Sequence, residues 1–210
     1  MARRIAVLTG DVIDSRKVAD TRRLHRVLDT TLAELVDRHG GHGERYRGDG
    51  FQLALPQPGA AMTAAVQLRA ALIQHSEPHQ RWDARIAVAV GQEDRGIAAA
   101  DGEVFVRSGQ ALDTLETRHL AVVLLEAPDE ACPTLLTRFL DDLIDGWSRY
   151  SAEVVTLSLD RATTQQALAE RLGIRQPSVH KRLRAARWEL LVDTLAYFER
   201  RLADRESRNE

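Results

Sequence analysis

Strand-like and helix-like patterns alternate over the first 127 residues, and their order limits the folds that this chain can adopt. RIAVLTG (residues 4–10) and ARIAVAVG (84–91) predict buried strands, because each is a short run rich in β-branched residues that closes on glycine. GERYR and FQLAL, on either side of the GDG triplet, predict a hairpin, and HLAVVLLEA predicts a last strand. Helices are predicted over about 20–40, 60–74 and, more weakly, 104–115.

The resulting order, βαββαβαβ, predicts an α+β fold. A βαββαβ core of the ferredoxin-like or palm type packs two helices on one face of an antiparallel sheet. The composition, 44% hydrophobic and 29% charged, is typical of a folded soluble protein. Cys132 is the single cysteine, which favours a reducing compartment, and no apolar run is long enough for a signal peptide or a membrane span. We therefore expect a cytoplasmic protein that does not bind membranes.

The charge pattern changes after residue 127. Residues 126–160 carry eight acidic and two basic side chains on a helical pattern, whereas residues 161–187 carry seven basic and one acidic. This reversal predicts three segments: a domain over 1–127, an acidic helical connector over 128–160 and a basic helical domain over 161–210.

The basic segment contains the pattern of a helix-turn-helix. Ala169 is small where a second helix would cross, Gly173 allows a tight turn, and Val179 fills the space between the helices. A recognition helix is predicted over about 177–187. Gln176, Ser178, His180 and Lys181 would then face base edges in the DNA major groove, and Arg175, Arg182, Arg184 and Arg187 would face phosphates.

One alternative and one consequence accompany this interpretation. A basic, solvated helix pair that binds no nucleic acid has the same charge pattern. If the segment does bind double-stranded DNA, a homodimer is expected, because short helix-turn-helix modules usually bind paired half-sites.

Asp11 and Asp49 are the candidate site residues of the first domain. Asp49 between two glycines is compatible with an ordinary tight hairpin, and Asp11 with a cap after a strand. Both residues fall next to predicted central strands, however, and two carboxylates placed together are typical of a metal or nucleotide site.

LTGDVIDS, RYRGDGFQLAL, an alanine-rich helix and RIAVAVG follow one another in an order that resembles the core of class III nucleotidyl cyclases and diguanylate cyclases. The chain as a whole is more similar to the SatD-like family, in which a cyclase-type domain precedes a helix-turn-helix. The resemblance implies that Asp11 and Asp49 hold Mg²⁺ with a nucleotide. It also implies that the backbone at Val12 and Ile13 faces phosphate and that Gly48 and Gly50 let the hairpin approach it. Weaker base or phosphate contacts are implied for Arg45, Arg47 and Arg107, with Arg85 and Arg95 as further cations.

The departures from the cyclase pattern concern catalysis. Arg45 stands where adenylate-forming members carry a base-reading lysine, and Phe105 and Gly109 fall where cyclases place an asparagine and an arginine. Loss of a cation at the developing phosphoryl charge favours binding without turnover. We therefore expect a DNA-binding transcription regulator whose degenerate cyclase-type domain binds a nucleotide-like ligand. The alternatives are an active cyclase with a DNA-binding module and a domain that serves only dimerisation.

Overall fold

The computed structural model describes residues 3–46, 48–94, 97, 102–126, 131–160 and 163–203. The strands are β1 Arg3–Val12, β2 His42–Arg45, β3 Gly50–Leu55, β4 Ala84–Glu93 and β5 Leu120–Leu124. The helices are α1 Thr21–His39, α2 Ala61–Gln74, α3 Glu103–Asp113, α4 Ala131–Asp145, α5 Arg149–Asp160, α6 Gln165–Leu172, α7 Gln176–Ala185 and α8 Trp188–Ala203. The predicted order of the first eight elements is confirmed, and the fold is of the mixed α+β class.

The five strands form one sheet in the order β2-β3-β1-β4-β5. The pairs among β1 to β4 are antiparallel, as expected for a βαββαβ core. The fifth strand, β5, lies outside that core and pairs with β4 in parallel. Parallel neighbours need a crossover connection, and α3 provides it on the face opposite α1 and α2.

The two faces of the sheet bury different sets of residues. Leu8, Leu53 and Ile86 belong to the large cluster that includes the buried residues of α1 and α2. Ile5 and Val7 instead pack with Val104 and Phe105 of α3 in a smaller cluster. Neighbouring residues of a strand alternate between these faces, so each position of β1 can be assigned to the α1/α2 side or to the α3 side.

The large hydrophobic cluster does not stop at residue 127. It contains Leu68 of α2 together with Ile144 of α4, Val155 of α5 and Phe198 of α8, all of them buried. Helices after residue 131 therefore pack directly on the α1/α2 side of the sheet. The division into 1–127, 128–160 and 161–210 stays a prediction, but it does not coincide with a break in the core.

Helices α6 and α7 are joined by the short connection 173–175. Thr164 caps α6, since its Oγ1 accepts a hydrogen bond of 3.2 Å from the Ala167 amide. Gly173 ends α6 with φ of 63°, in the left-handed region that glycine adopts without steric cost. Ala169 and Val179 are both buried, in a cluster that also includes Val154 of α5. Among the helices that the structure describes, none combines the length and apolarity needed to cross a membrane.

Candidate functional site

Asp11 lies in the middle of the sheet, near the end of β1. The strand extends to Val12, two residues further than the sequence pattern predicts. As a result Asp11 is part of the ladder, opposite Gly50 of β3 on one side and Arg85 of β4 on the other. It lies on the α3 face, two residues after Thr9, whose Oγ1 is 2.7 Å from the Ser108 Oγ of α3.

Arg85 holds the Asp11 carboxylate. Its Nε donates to Oδ1 at 2.9 Å and its Nη2 donates to Oδ2 at 2.5 Å. This hydrogen bond raises the pKa of Arg85, burial opposes the rise, and the charges of Asp11, Asp113 and Asp49 add to it. Asp11, Asp49 and Asp113 therefore all act on one half-buried guanidinium. In this structure the cation that interacts with these three acids is the guanidinium of Arg85.

Asp49 is held by the segment that follows β1. Ser15 Oγ donates to Asp49 Oδ2 at 2.5 Å, and the Asp49 carbonyl accepts a hydrogen bond of 3.3 Å from the Val12 amide. Gly48 precedes it with φ of 95°, a backbone conformation that favours glycine. The hairpin tip is thus tied to the β1–α1 connection, and Asp49 serves a structural role in the turn whether or not it also binds a ligand.

The amides of Val12 and Ile13 do not form a free phosphate-facing turn, in contrast to the expectation from the resemblance. Val12 N–H donates to Asp49 O at 3.3 Å, and Ile13 N–H donates to Asp83 O at 3.0 Å. The physical reason is the extension of β1, which continues pairing to both neighbours past Asp11. A phosphate could contact these amides only by displacing the two carbonyls.

Gly48 and Gly50 leave space beside the acids. A Cβ atom at Gly48 would meet no heavy atom within 4 Å, and one at Gly50 would lie 3.9 Å from the Gly10 carbonyl and from the Tyr46 ring. This space is compatible with a close approach of a ligand to the hairpin backbone, which stays a prediction.

Arg45 lies on the other face of the sheet. It is the register partner of Phe51, which is fully buried in the cluster beneath α1 and α2. Its Nε donates to Asp29 of α1 at 2.8 Å, and this hydrogen bond raises its pKa. Direct cross-strand partners project to the same side, whereas Asp11 projects to the α3 side. The strand register thus separates Arg45 from Asp11, but its Nη1 donates to the Gly48 carbonyl at 3.3 Å, beside Asp49. Its predicted base or phosphate contact stays a prediction.

The remaining predicted cations differ in position. Arg107 is an exposed residue of α3, on the same side of the sheet as Asp11. Arg47 and Arg95, predicted as further phosphate contacts, lie outside the described residues.

Phe105 and Gly109, which the resemblance aligns with catalytic polar residues of cyclases, carry no polar side chain. Phe105 is buried at 5% exposure in the small cluster, and a Cβ atom at Gly109 would meet nothing within 4 Å. Instead, the polar residues on this face form a chain. Tyr46 OH donates to Gln52 Oε1 at 2.7 Å, and Gln52 Nε2 donates to Thr9 Oγ1 at 3.1 Å. These hydrogen-bonded side chains supply neutral hydroxyl and amide groups but no additional cation.

Solved structures of cyclase domains resemble part of this chain. The active GGEEF domain of a diguanylate cyclase from Vibrio cholerae is 18% identical, with a TM-score of 0.44 over 60% of this chain and 85% of that chain. A bacterial light-regulated adenylyl cyclase is 12% identical, with a TM-score of 0.46 over 58% and 76%. The guanylyl cyclase Cya2 is 17% identical, with a TM-score of 0.40 over 54% and 71%. No family model matches the chain, and no curated protein matches it.

A second cluster of charges, which the sequence patterns do not predict, surrounds Arg69 of α2. Arg69 is fully buried, and its guanidinium donates to Asp83 at 2.8 and 2.9 Å, to Asp141 at 2.6 Å and to Asp145 at 2.6 Å. We call these four residues the Arg69 cluster. A signal does exist in the sequence: α2 is apolar on all sides, and an arginine within such a helix must be buried and paired.

Asp83, His119 and Asp145 bring potential metal ligands within 4.8 Å of one another. A metal ion does not fit the site, because the Arg69 guanidinium already lies against Asp83 and Asp145 and 3.5 Å from His119 Nδ1. The hydrogen bond to Asp145 raises the pKa of His119 against the effect of burial. Burial would raise the pKa of Asp145, but hydrogen bonds from His119 and Arg69 outweigh it and lower that pKa to about 2.

Most of the predicted DNA-binding residues are exposed on and beside α7. Arg182 is the exception, because its Nη1 donates to Glu153 of α5 at 2.7 Å and its guanidinium lies 4.8 Å from the Tyr150 ring centroid. Glu153 therefore competes with any DNA phosphate for the guanidinium of Arg182. The exposed members of the predicted set are Arg175, Gln176, Ser178, His180, Lys181, Arg184 and Arg187.

Proposed function

We propose that this protein is a DNA-binding transcription regulator whose sheet domain binds a nucleotide-like ligand at Asp11 and Asp49. The observation that supports the ligand site best is the β1–β3 register, which places Asp11 opposite Gly50, the neighbour of Asp49. The two acids thus lie at the same end of adjacent central strands, and the charges of both act on Arg85. Gly48 and Gly50 beside them leave room for a ligand.

Magnesium suits this donor set, because carboxylate oxygens with substrate phosphates are its usual ligands. Bound there, it would neutralise phosphate charge. Asp11 and Asp49 would hold the ion, which requires Asp11 to exchange its hydrogen bonds from Arg85 for the metal. Arg85, once released, would be a cation available to the phosphates, and Arg107 lies on the same side of the sheet. Phe105 and Gly109 provide no group that could stabilise charge developing in a transition state, which favours binding over turnover.

Helix α7 is the proposed reading helix of a helix-turn-helix. Gln176, Ser178 and His180 are exposed at its N-terminal end, where hydrogen-bonding side chains contact base edges in such modules. Lys181 is a further exposed residue for base edges, whereas Arg175 and Arg184 are exposed cations for phosphate contacts. The proposed partner is double-stranded DNA, bound by a homodimer in the cytoplasm.

Thermal melting with ATP and with GTP, each with and without Mg²⁺, tests the ligand site. A ligand at 100 times its Kd stabilises the native state by about 2.7 kcal/mol. For a chain of this size, that corresponds to a rise in Tm of roughly 5–10 °C. We expect a rise for at least one nucleotide in the wild type and none in Asp49→Ala. Lys17→Ala, a change of an exposed residue beyond the same loop, serves as the control. A panel without any shift would overturn the ligand site.

A mobility-shift assay with the chain's own upstream DNA at low salt tests the second half of the proposal. We expect a complex whose stability changes when the nucleotide identified by melting is added. A protein that binds no DNA at low salt is not a regulator of this kind.

The second candidate function is an active nucleotidyl cyclase with a DNA-binding module, and the pair of acids at Asp11 and Asp49 favours it. Incubation with ATP or GTP and Mg²⁺ or Mn²⁺, followed by chromatography, separates the two functions. A cyclic or dinucleotide product that disappears in Asp49→Ala would replace the proposed sensor by an enzyme. If Asp11→Ala and Asp49→Ala leave both ligand-dependent melting and DNA binding unchanged, the domain serves dimerisation only.

A further inference from the structure

Asp83 lies between the proposed ligand site and the helices that follow the sheet. Its carbonyl accepts a hydrogen bond of 3.0 Å from the Ile13 amide, two residues beyond Asp11. Its side chain is 4% exposed and belongs to the Arg69 cluster. The same residue therefore contacts the end of the ligand-site strand with its backbone and a buried ionic cluster with its side chain.

Arg81 continues this connection to the C-terminal end of α4. Its Nη2 donates to Asp83 Oδ2 at 3.1 Å and to the Ile144 carbonyl at 3.0 Å, and its Nη1 donates to the Trp147 carbonyl at 2.6 Å. A cation at this position satisfies carbonyls that the helix end leaves without partners. Asp141 and Asp145 of α4 also bind Arg69. The end of α4 is thus fixed to Asp83 through two arginines.

Trp147 completes the connection to α7. Its side chain is 2% exposed, and its indole Nε1 donates to the Ala186 carbonyl at 3.2 Å. Ala186 is itself fully buried and directly follows the last residue of α7, where its amide donates to Arg182 O at 2.9 Å. The C-terminal end of the proposed reading helix is therefore anchored on the turn between α4 and α5.

These contacts form an unbroken series from Ile13 through Asp83, Arg81 and Trp147 to Ala186. Each step is a hydrogen bond of 3.2 Å or less between groups that are at least partly buried. Buried charged groups cannot part from their partners without a large desolvation penalty, so displacement of one member tends to move the others. The bonds therefore provide a continuous route from the strand end at Asp11 to the end of α7.

We propose that Asp83, Arg81 and Trp147 are positioning residues that couple the ligand site at Asp11 and Asp49 to the orientation of α7. This inference rests on the proposed function and adds the route by which ligand binding changes DNA affinity. Typical coupling between two sites changes affinity by 5-fold to 150-fold. In this series, the hydrogen bond from the Trp147 indole to the Ala186 carbonyl is the one that reaches the end of α7. Its removal should uncouple the ligand site from the DNA-binding helix and leave both in place.

The test compares the wild type with Trp147→Phe, which keeps a buried ring but lacks the N–H. Fluorescence anisotropy gives the Kd for DNA with no nucleotide and with ATP or GTP plus Mg²⁺, and melting gives nucleotide binding separately. We expect a ratio of the two Kd values of about 5 or more in the wild type. In Trp147→Phe we expect a ratio near 1, with nucleotide binding retained.

Trp82→Phe is the matched control, because Trp82 is fully buried and its indole nitrogen has no hydrogen-bond partner among the described residues. Trp82→Phe also loses an indole N–H but breaks none of the hydrogen bonds from Ile13 to Ala186. Its ratio of DNA Kd values without and with nucleotide should equal that of the wild type. Arg81→Met is a second variant, on a half-buried residue, that removes both bonds to the end of α4 and should also reduce the ratio to near 1.

The outcomes separate this inference from the proposed function. A wild type that binds DNA and nucleotide independently, or binds no nucleotide, contradicts the regulated function and the coupling route together. A wild type with a clear ratio that both Trp147→Phe and Arg81→Met retain contradicts the route alone. If Trp82→Phe reduces the Kd ratio as strongly as Trp147→Phe does, the coupling route is also contradicted. Packing of the buried ring, and not the hydrogen bond, would then explain the lower ratio.

Discussion

Arg85 of β4 donates two hydrogen bonds, of 2.9 and 2.5 Å, to the carboxylate of Asp11 on the neighbouring strand β1. A guanidinium in this position satisfies both oxygens of one of the two acids proposed to hold a metal. The arrangement predicts competition: either Arg85 or a divalent cation binds Asp11.

Arg85→Met should therefore bind Mg²⁺ more tightly than the wild type in the absence of nucleotide. We expect an increase of about tenfold, equivalent to about 1.4 kcal/mol, because Asp11 no longer loses a bidentate ion pair when it binds the metal. Isothermal titration with MgCl₂ measures the change. Arg107→Met removes an exposed arginine on the same side of the sheet and should leave the affinity unchanged. Equal affinities of Arg85→Met and wild type would refute the competition.

Arg69→Met should strongly destabilise the fold. The guanidinium is fully buried among three carboxylates, and its loss leaves Asp83 and Asp141 buried without their common partner. Breaking a buried ion pair typically costs about 3–5 kcal/mol. Urea unfolding measures the change, and Arg22→Met, on the exposed side of α1, should alter stability by less than about 0.5 kcal/mol. A change below about 1 kcal/mol for Arg69→Met would show that the acids are protonated or solvated instead.

The pair of His119 and Asp145 predicts a pH dependence of stability. The pKa of His119 is raised above 6.5 in the folded state, so its contribution is fully present below about 6.5 and is lost as the pH rises through the raised value. The pKa of Asp145 is lowered to about 2, so its contribution is present above 3.8 and is lost as the pH falls towards 2. Both contributions are present together between about pH 4.5 and 6.5.

His119→Gln should accordingly lose more stability relative to the wild type at pH 5.5 than at pH 8.5. Melting curves of both proteins at the two pH values measure the difference. The comparison removes the effect of His39, whose pKa is lowered by burial and by the charge of Arg38 in both proteins. If the two proteins differ in melting temperature by the same amount at both pH values, His119 does not gain charge in contact with Asp145.

The two arginines Arg182 and Arg184 should contribute unequally to DNA binding. Arg184 is exposed, whereas Arg182 is engaged by Glu153 and lies against Tyr150. Each phosphate contact contributes about 0.9 to the slope of log K against log salt. Arg184→Ala should therefore weaken binding and reduce that slope by about 0.9, while Arg182→Ala changes it by less. Anisotropy titrations at several NaCl concentrations measure both slopes, and a larger effect of Arg182→Ala would contradict the placement.

The sequence predicted the elements whose causes are local. The strands β1, β3 and β4 follow from short apolar runs, and α1 begins after Asp20, whose Oδ1 accepts from the Arg23 amide at 2.9 Å. The connection between α6 and α7 follows from Gly173, which adopts the left-handed conformation. In each case the deciding interactions lie within a few residues, so the pattern is visible in the order of the residues alone.

The tertiary structure decided which charged side chains meet. Arg45 and Asp11 lie close to the same hairpin, yet the β2–β3 register directs Arg45 towards Asp29 on the α1 side. Arg69, Asp83 and Asp141 come from three separate segments and form one cluster only because α4 packs beside α2 and the start of β4. A carboxylate in a sequence pattern is equally suited to a metal, a guanidinium or water. Only the packing of distant elements determines which of these partners is within reach, and at Asp11 and Asp83 the partner in this structure is an arginine of the chain itself.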